Sequence, residues 1–128
     1  MNKLTHSEIH GTVRLGNKRA GAAAKPGPGE TIVDIDRTNP VLGNPYVLKN
    51  HRDDARRAQV IALYKAKYDA DIARHGPMAI ATGQLAEKVH NGENLILMCW
   101  CAGAPLNKPC HGDLIIAQIN RLIEIKCK

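Results

Sequence analysis

The feature that most constrains the fold is a continuous apolar run, Leu95-Ile96-Leu97-Met98, which lies between Asn94 and Cys99. Its length suits a single β-strand, and its side chains are apolar at every position rather than at alternate ones. A strand of this kind is buried on both faces, which is typical of the centre of a parallel sheet. The run therefore predicts a central strand over 94–99, and the rest of the chain must supply the layers that cover it.

Weaker strand patterns lie upstream of this run. The β-branched segment 31–36 predicts a second strand, with Val33 and Ile35 on one face and two aspartates on the other. Thr12 to Leu15 and Tyr46 to Leu48 are candidates for further short strands. Because helical segments separate 31–36 from 94–99, we expect these two strands to be adjacent and parallel.

Helical periodicity predicts three helices, over 53–73, 78–90 and 111–124. In the first, Ile61, Tyr64, Tyr68 and Ile72 form one apolar stripe. We expect Gly76 to cap the end of that helix, with proline just beyond it. The order of strands and helices predicts an α/β fold: a single small domain whose short, mostly parallel sheet is flanked by about three helices.

The first 30 of the 128 residues differ in composition from the rest. They are basic and rich in glycine and proline, and they carry too little apolar surface to offset the entropy lost on ordering. We therefore predict a flexible N-terminal arm over 1–30 that contributes little to stability, followed by one domain over 31–128. The arm supplies part of the net charge of +6, which favours anionic partners and also keeps a small protein soluble.

The sequence also limits the expected location. No apolar stretch approaches the roughly 18 residues that a membrane span requires. Residues 1–20 lack the apolar segment of a secretory signal, so a cytoplasmic location is expected. Thiols stay reduced there, and the cysteines are expected to be ligands, nucleophiles or core residues rather than disulfides. Cys127 stands apart from the others.

Soft ligands, an aromatic ring and a carboxylate are concentrated after the apolar run. They comprise Cys99, Trp100, Cys101, Cys110, His111, Gly112 and Asp113. The last four precede or open a predicted helix, whose free N–H groups can bind an anion or activate a cysteine. Catalytic roles are therefore assigned to Cys110, His111 and Asp113.

Plainer roles compete with these. Either member of the C-x-C pair can pack as a small apolar residue, and Asp113 can serve only the helix dipole. A C-x-C pair and an adjacent Cys-His pair suit tetrahedral zinc poorly, so no metal site is predicted. The sequence identifies no cofactor.

A second candidate site is the loop that follows strand 31–36. Arg37 offers a fork of donors for a phosphate or carboxylate. Asn44 lies between glycine and proline, where its amide both donates and accepts hydrogen bonds, although asparagine is also a common turn former. Ligand-binding roles are assigned to Arg37, Asn44, Cys99, Trp100, Cys101 and Gly112.

These two blocks resemble a family of small bacterial and phage proteins with no assigned function. Its members show an arginine after a first strand, a G-N-P-[FY] loop, a long helix and a C-W-C-x-P-x-x-C-H-G-D segment before a final helix. The matching residues here are Arg37, Gly43 to Tyr46, Cys99 to Cys101 and Pro109 to Asp113. The resemblance spans about residues 31–124, and the stretch between Cys101 and Cys110 is longer than the family pattern. It implies a site and a phage or bacterial source, and supplies no reaction.

Three functions are compatible with the sequence. The first is a domain that binds a small, nucleotide-like anionic ligand between the two loops. The second is an enzyme that uses Cys110 or His111 on a nucleotide or nucleoside-type substrate. The third is a module that binds nucleic acid or a protein partner, which the basic charge favours and the scarcity of aromatic residues disfavours. In the first two, Arg37 and Asn44 are expected to face the cysteine block across one pocket at the carboxyl ends of the strands.

Overall fold

The computed structural model describes residues 11–17, 27–36, 38–46, 53–99 and 110–127. Within these ranges the chain forms, in order, β1 (Val13–Asn17), β2 (Glu30–Asp34), α1 (Asp54–Ala73), α2 (Pro77–His90), β3 (Asn94–Cys99) and α3 (His111–Cys127). Three helices and three parallel strands make this the α/β fold that the sequence predicts.

The sheet has the strand order β1-β3-β2, with both pairs parallel. The continuous apolar run is the central strand, as predicted, and Leu95, Ile96 and Leu97 are fully buried. The predicted neighbour is also confirmed, because Thr31 pairs with Leu95 in the β2–β3 ladder. Parallel strands end at the same edge of the sheet, so the segments that leave β2 and β3 begin side by side.

The helices cover one face of the sheet. Leu95 and Leu97 point into the main apolar core, where they join Ile115 and Ile119 of α3 and Val89 of α2. Helix α3 continues to Cys127, three residues beyond its predicted end at 124. This packing holds α3 against the sheet from its first turn.

An ion pair crosses the other face of the sheet. Arg14 of β1 donates from Nε and Nη2 to the two carboxylate oxygens of Glu30 in β2, at 2.9 and 3.0 Å. Because β3 lies between these strands, the arginine side chain spans the central strand on the face that carries Ile96. The pair therefore links the two outer strands directly. The Glu30 carboxylate also accepts from the N–H of Gly27 at 2.7 Å.

Acid is expected to weaken this link. The hydrogen bond from Arg14, followed by that from Gly27, lowers the pKa of Glu30 from 4.5 to about 2. The stabilising contribution is therefore complete above pH 4.5 and is lost as the pH falls towards 2. We expect the free energy of unfolding of the wild type to fall more steeply over this interval than that of Glu30→Gln, as measured by urea denaturation at each pH. Glu124→Gln, a change at an exposed position of α3, is the control and should follow the wild type. Parallel curves for wild type and Glu30→Gln would contradict the expectation.

Helix α1 agrees with its prediction in extent and differs in its buried face. Asp53 caps its start by accepting the N–H of Arg56 at 2.9 Å. Tyr64 and Tyr68 are buried as predicted, but Ile61 and Ile72 are only half-buried. The rest of the buried stripe consists of Arg57, Val60 and Asp71. The buried face of α1 therefore begins and ends with a charged residue, and it differs from the wholly apolar face that the sequence predicts.

The turn between α1 and α2 is built differently from the prediction. Gly76 does not cap the end of α1: the cap is Arg74, and His75 takes the left-handed conformation with φ of 56°. Gly76 instead opens α2, where a side chain at this position would meet the Asp71 carboxylate at 2.6 Å. Asp71 occupies that space because it accepts the N–H of Ala79 at 2.9 Å and so caps α2.

The N-terminal thirty residues include part of the sheet. The candidate strand at Thr12 to Leu15 is present as β1, an edge strand whose Val13 and Leu15 pack against the core. The low contribution to stability expected of the arm therefore does not extend to β1. Residues 1–10 and 18–26 of the arm lie outside the described residues. Of the candidate strand at Tyr46 to Leu48, only Tyr46 is described, and it lies in a bend. In the described part of the chain, no helix combines the length and apolarity that a membrane crossing requires.

Candidate functional site

The candidate site lies at the carboxyl edge of the sheet, where the end of β2 meets the start of α3. Ile35, just after β2, continues the ladder by donating its N–H to Met98 of β3 at 2.9 Å. Its carbonyl oxygen accepts a hydrogen bond from His111 Nε2 at 2.7 Å. These two residues are 76 positions apart in the sequence. The bond therefore joins the two segments in which the sequence locates candidate functional residues.

Cys110 caps α3. Its Sγ atom accepts the N–H of Gly112 at 3.4 Å, and its carbonyl oxygen accepts the N–H of Asp113 at 3.0 Å. In return, an Asp113 carboxylate oxygen accepts the N–H of Cys110 at 3.0 Å. This arrangement resembles a capping box, with cysteine in place of serine or threonine and with its sulfur bonded to the second rather than the third N–H of the helix. The N–H groups of Gly112 and Asp113, which we expected to receive an anionic ligand, are thus used within the cap.

Cys110 and His111 form a thiol–imidazole pair. A carbonyl oxygen can only accept, so the bond to Ile35 places a hydrogen on His111 Nε2. In the neutral ring Nδ1 is then an acceptor, and it lies 3.4 Å from Cys110 Sγ. The imidazole can therefore take the thiol proton while its other nitrogen remains bonded to the backbone. Both side chains are buried, with Cys110 1% and His111 4% exposed.

Tyr64 joins this pair to the loop after β2, although its sequence pattern marks it only as part of the apolar stripe of α1. Its ring lies 4.9 Å from that of His111, centroid to centroid, at an angle of 56°. Its hydroxyl donates to the carbonyl oxygen of Leu42 at 2.8 Å. Burial raises the pKa of Tyr64, and the neighbouring Tyr68, Cys110 and Asp71 raise it further. The phenol therefore keeps its proton and acts as a donor at all physiological pH values.

The loop over 36–46 is organised by Asn39. Its Oδ1 accepts from the N–H groups of Val41 and Leu42 at 2.9 and 2.8 Å. Its Nδ2 donates to the carbonyl oxygen of Asp34 at 3.0 Å. One amide thus ties the middle of the loop to the end of β2. The buried Asp36 carboxylate adds a second tie by accepting from the N–H of Thr38 at 3.1 Å and from its hydroxyl.

Gly43 and Asn44 have local roles in this loop. A side chain at Gly43 would meet the backbone oxygens of Asp36 and Asn39 at 2.2 and 2.5 Å, so the loop closes on itself only with glycine there. Asn44 Oδ1 accepts the N–H of Tyr46 at 2.9 Å. This matches the turn-forming role that asparagine often has. Asn44 is half-buried.

Gly112 is a packing position. A side chain on it would meet Leu15 of β1 at 2.4 Å and Ile35 at 2.8 Å. The space that we expected a ligand to approach is therefore filled by the ends of two strands. The glycine lets the first turn of α3 lie directly on the sheet, and this close contact is what places His111 within reach of the Ile35 carbonyl.

The remaining predicted site residues lie outside the described part of the chain. These are Arg37, Trp100 and Cys101, and the side chain of Cys99, whose backbone ends β3. Among the described residues, no three His, Cys, Asp or Glu side chains are grouped so as to hold a metal ion. The structure thus brings together Cys110, His111, Gly112 and Asp113 with Ile35.

Comparison with known proteins identifies a family and no individual relative. No curated protein and no solved structure matches the chain. A family profile described as a domain of unknown function, DUF4326, matches residues 17–121. That match includes β2, β3, the three helices through Arg121, and both segments of the candidate site. The chain is therefore a member of the DUF4326 family, a domain of unknown function.

Proposed function

We propose that this protein binds a small, nucleotide-like ligand with an anionic group at the carboxyl edge of its sheet. The observation that carries the proposal is the bond between His111 Nε2 and the Ile35 carbonyl oxygen, at 2.7 Å. It brings the start of α3 against the end of β2, and the pairing of Asp34 with Met98 puts the end of β3 beside it. In open parallel sheets, ligands bind where such segments diverge.

Arg37 is the group proposed to hold the anion. It follows Ile35 by two residues in the sequence. A guanidinium presents paired donors that match a phosphate or carboxylate. The α3 terminus is not proposed as the anion site, because its Gly112 and Asp113 N–H groups bond to Cys110. Cys99, Trp100 and Cys101 are proposed to line the same edge, and Asn44 to hold the loop in shape.

Polar groups beside Arg37 favour a ligand that also offers hydrogen-bond donors. The exposed Asp34 ends β2, three residues before Arg37 in the sequence. Carboxylates accept hydrogen bonds from the hydroxyl and amino groups of a sugar or base. A ligand with an anionic group at one end and such donors at the other fits this arrangement. We place this binding in the cytoplasm of a bacterial or phage-infected cell.

The first test is native mass spectrometry of the protein purified from cells, which would reveal a retained small molecule. The second is an NMR titration with nucleoside monophosphates and with inorganic phosphate as probes. We expect shifts in residues 34–46 and 110–113. Arg37→Ala should weaken binding about tenfold or more, as loss of a charge-assisted contact does. Lys65→Ala is the matched control, since Lys65 is exposed on α1 and pairs with Asp69. Shifts confined to other surfaces, or equal effects of the two variants, would reject the site.

The second candidate function is an enzyme, which the Cys110–His111–Ile35 arrangement favours. A nucleophile, a base within reach of its proton, and a group that orients the base are the parts of a nucleophilic site. The thiol proton would move to Nδ1 while Nε2–H stays on the Ile35 carbonyl. Because Cys110 is only 1% exposed, a substrate could reach its sulfur only after a local rearrangement of the residues that bury it.

Cys110→Ser separates the two candidates. Serine is a favoured helix N-cap and can accept the Gly112 N–H as the sulfur does. We therefore expect the free energy of unfolding to change by less than about 1 kcal/mol and ligand affinity to stay within a few-fold of wild type. An enzyme that attacks through sulfur would lose its turnover. Retained affinity without turnover in either form supports the binding function, whereas loss of turnover with an intact fold supports the enzyme.

A further inference from the structure

Tyr64 contacts both halves of the proposed site. Its hydroxyl donates to Leu42 in the 36–46 loop, and its ring lies against His111 at the start of α3. Leu42 is 2% exposed and belongs to the same core cluster as Cys110. A single side chain of α1 thus bonds to the loop through its hydroxyl and packs against the imidazole through its ring.

We propose that Tyr64 is a positioning residue that couples the 36–46 loop to the Cys110–His111 pair. When the loop moves, the Leu42 carbonyl leaves the Tyr64 hydroxyl, the ring is released, and access to the Cys110 thiol increases. This inference rests on the proposed function, in which the 36–46 loop contacts the ligand. Ligand binding at the loop would then control the reactivity of the buried thiol.

The coupling follows from the tight packing of the side chains around Tyr64. The Tyr64 side chain is fully buried, so neither ring nor hydroxyl can move without displacing neighbours. Its proton is retained, because burial raises the pKa of Tyr64, and the Leu42 carbonyl is the acceptor it reaches. His111 is held on its other side by the Ile35 carbonyl. A shift of Leu42 is therefore transmitted to the imidazole and from there to Cys110 Sγ, 3.4 Å away.

Tyr68 provides a matched control. It lies one helical turn after Tyr64 on the same buried face, and the two rings stack with centroids 5.8 Å apart. Its hydroxyl bonds to Thr82 of α2 at 2.7 Å rather than to the loop. Tyr64→Phe and Tyr68→Phe each remove one buried hydroxyl from the same helix and leave the ring in place. They differ in whether the lost bond leads to the loop.

The test measures alkylation of Cys110 in the full-length protein with iodoacetamide, resolved by residue with mass spectrometry. In Tyr64→Phe we expect the labelling rate to rise about tenfold, the population change that a lost buried hydrogen bond produces. In Tyr68→Phe it should rise less than about twofold. The increase should not depend on low concentrations of urea, because a local opening exposes little surface. Equal acceleration in both variants, or an increase that follows global unfolding, would overturn the coupling.

A second variant makes the test independent of how Tyr64→Phe folds. Asn39→Ala loosens the loop by removing the acceptor for the N–H groups of Val41 and Leu42. We expect it to accelerate Cys110 labelling when Tyr64 is present and to add little in Tyr64→Phe. Additive effects in this double-mutant cycle would show that loop and thiol are uncoupled. None of these measurements requires a ligand, so the coupling can fail while the binding site stands, and the absence of any bound probe rejects the site alone.

Discussion

Deletion of residues 1–17 is expected to unfold the protein. These residues include β1, whose five residues pair with the central strand. Their loss would expose one side of β3 and would remove Val13 and Leu15 from the core. It would also remove Arg14, which bonds to Glu30 across the sheet.

The expected effect is large because several contributions are lost together. Each ladder hydrogen bond contributes about 0.5–1.5 kcal/mol, and the half-buried Val13 and Leu15 each add part of the roughly 1.5–3 kcal/mol that full burial of such a side chain provides. Their total reaches the 5–15 kcal/mol that is the free energy of unfolding of a typical small domain. Leu15 has a further role, since it packs on Gly112 and so supports the start of α3.

Circular dichroism and thermal melting of the truncated protein provide the measurement. Deletion of residues 1–10 alone is the control, and we expect it to lower the melting temperature by a few degrees at most, because its three large apolar residues, Met1, Leu4 and Ile9, are too few to build a core. A cooperative transition close to that of the wild type after removal of residues 1–17 would show that β1 is dispensable. In that case the stable domain would begin near residue 27.

The elements that the sequence predicts well are those whose patterns are local. The run at 94–99 has the length and composition of a buried strand, and the 53–73 and 78–90 segments repeat at helical spacing. β1 was a weaker prediction because only Val13 and Leu15 of its residues face the core. An edge strand of this kind is recognised by its pairing with β3, which is some 80 positions away in the sequence.

The turn at residues 74–77 shows where a local rule misleads. A glycine followed by proline after a helical pattern is typical of a helix end. Here the glycine is required at the start of the next helix, because the Asp71 carboxylate fills the space beside it. The left-handed residue is His75 instead. Only the position of Asp71 in three dimensions reveals which helix the glycine serves.

The sequence indicates which residues to consider as a candidate site, but not the contacts that they make. Cys110, His111 and Asp113 stood out because such residues are concentrated before a helix. Their partners could not be predicted, since Ile35 contributes a backbone oxygen and any residue type has one. Tyr64 was interpreted only as part of an apolar stripe, although tyrosine carries a polar group that needs a partner when it is buried. Buried tyrosines near predicted sites therefore merit attention as connecting residues.

Structural and chemical roles coincide at the start of α3. The thiol that caps the helix is also the group nearest a proton-accepting nitrogen. The histidine that could act as a base is the residue that ties α3 to β2. His111→Ala is therefore an ambiguous variant, because it removes a possible base and leaves a buried carbonyl unpaired. Cys110→Ser is more informative, since serine can retain the capping role.

Gly43→Ala is expected to disrupt the 36–46 loop and lower stability by about 1–3 kcal/mol, the usual range for a side chain forced into filled space. An alanine Cβ at this position would lie 2.2 Å from the Asp36 carbonyl oxygen and 2.5 Å from that of Asn39. Both obstacles are backbone atoms, so no side-chain rotation relieves the contact. The loop must shift instead, and with it Leu42, which holds the Tyr64 hydroxyl.

Gly83→Ala is the matched control for this variant. Gly83 lies inside α2, and a Cβ there meets nothing within 4 Å. The same substitution should therefore raise stability by about 0.5–1 kcal/mol, because alanine favours the helix over glycine. Urea denaturation of both variants measures the change in the free energy of unfolding, which should have opposite signs in the two. The NMR titration with nucleoside monophosphates should show weakened binding for Gly43→Ala alone. If Gly43→Ala keeps wild-type stability and affinity, the close approach of residues 36, 39 and 43 does not shape the site. The loop would then have to be held by Asn39 alone, through its bonds to Asp34, Val41 and Leu42.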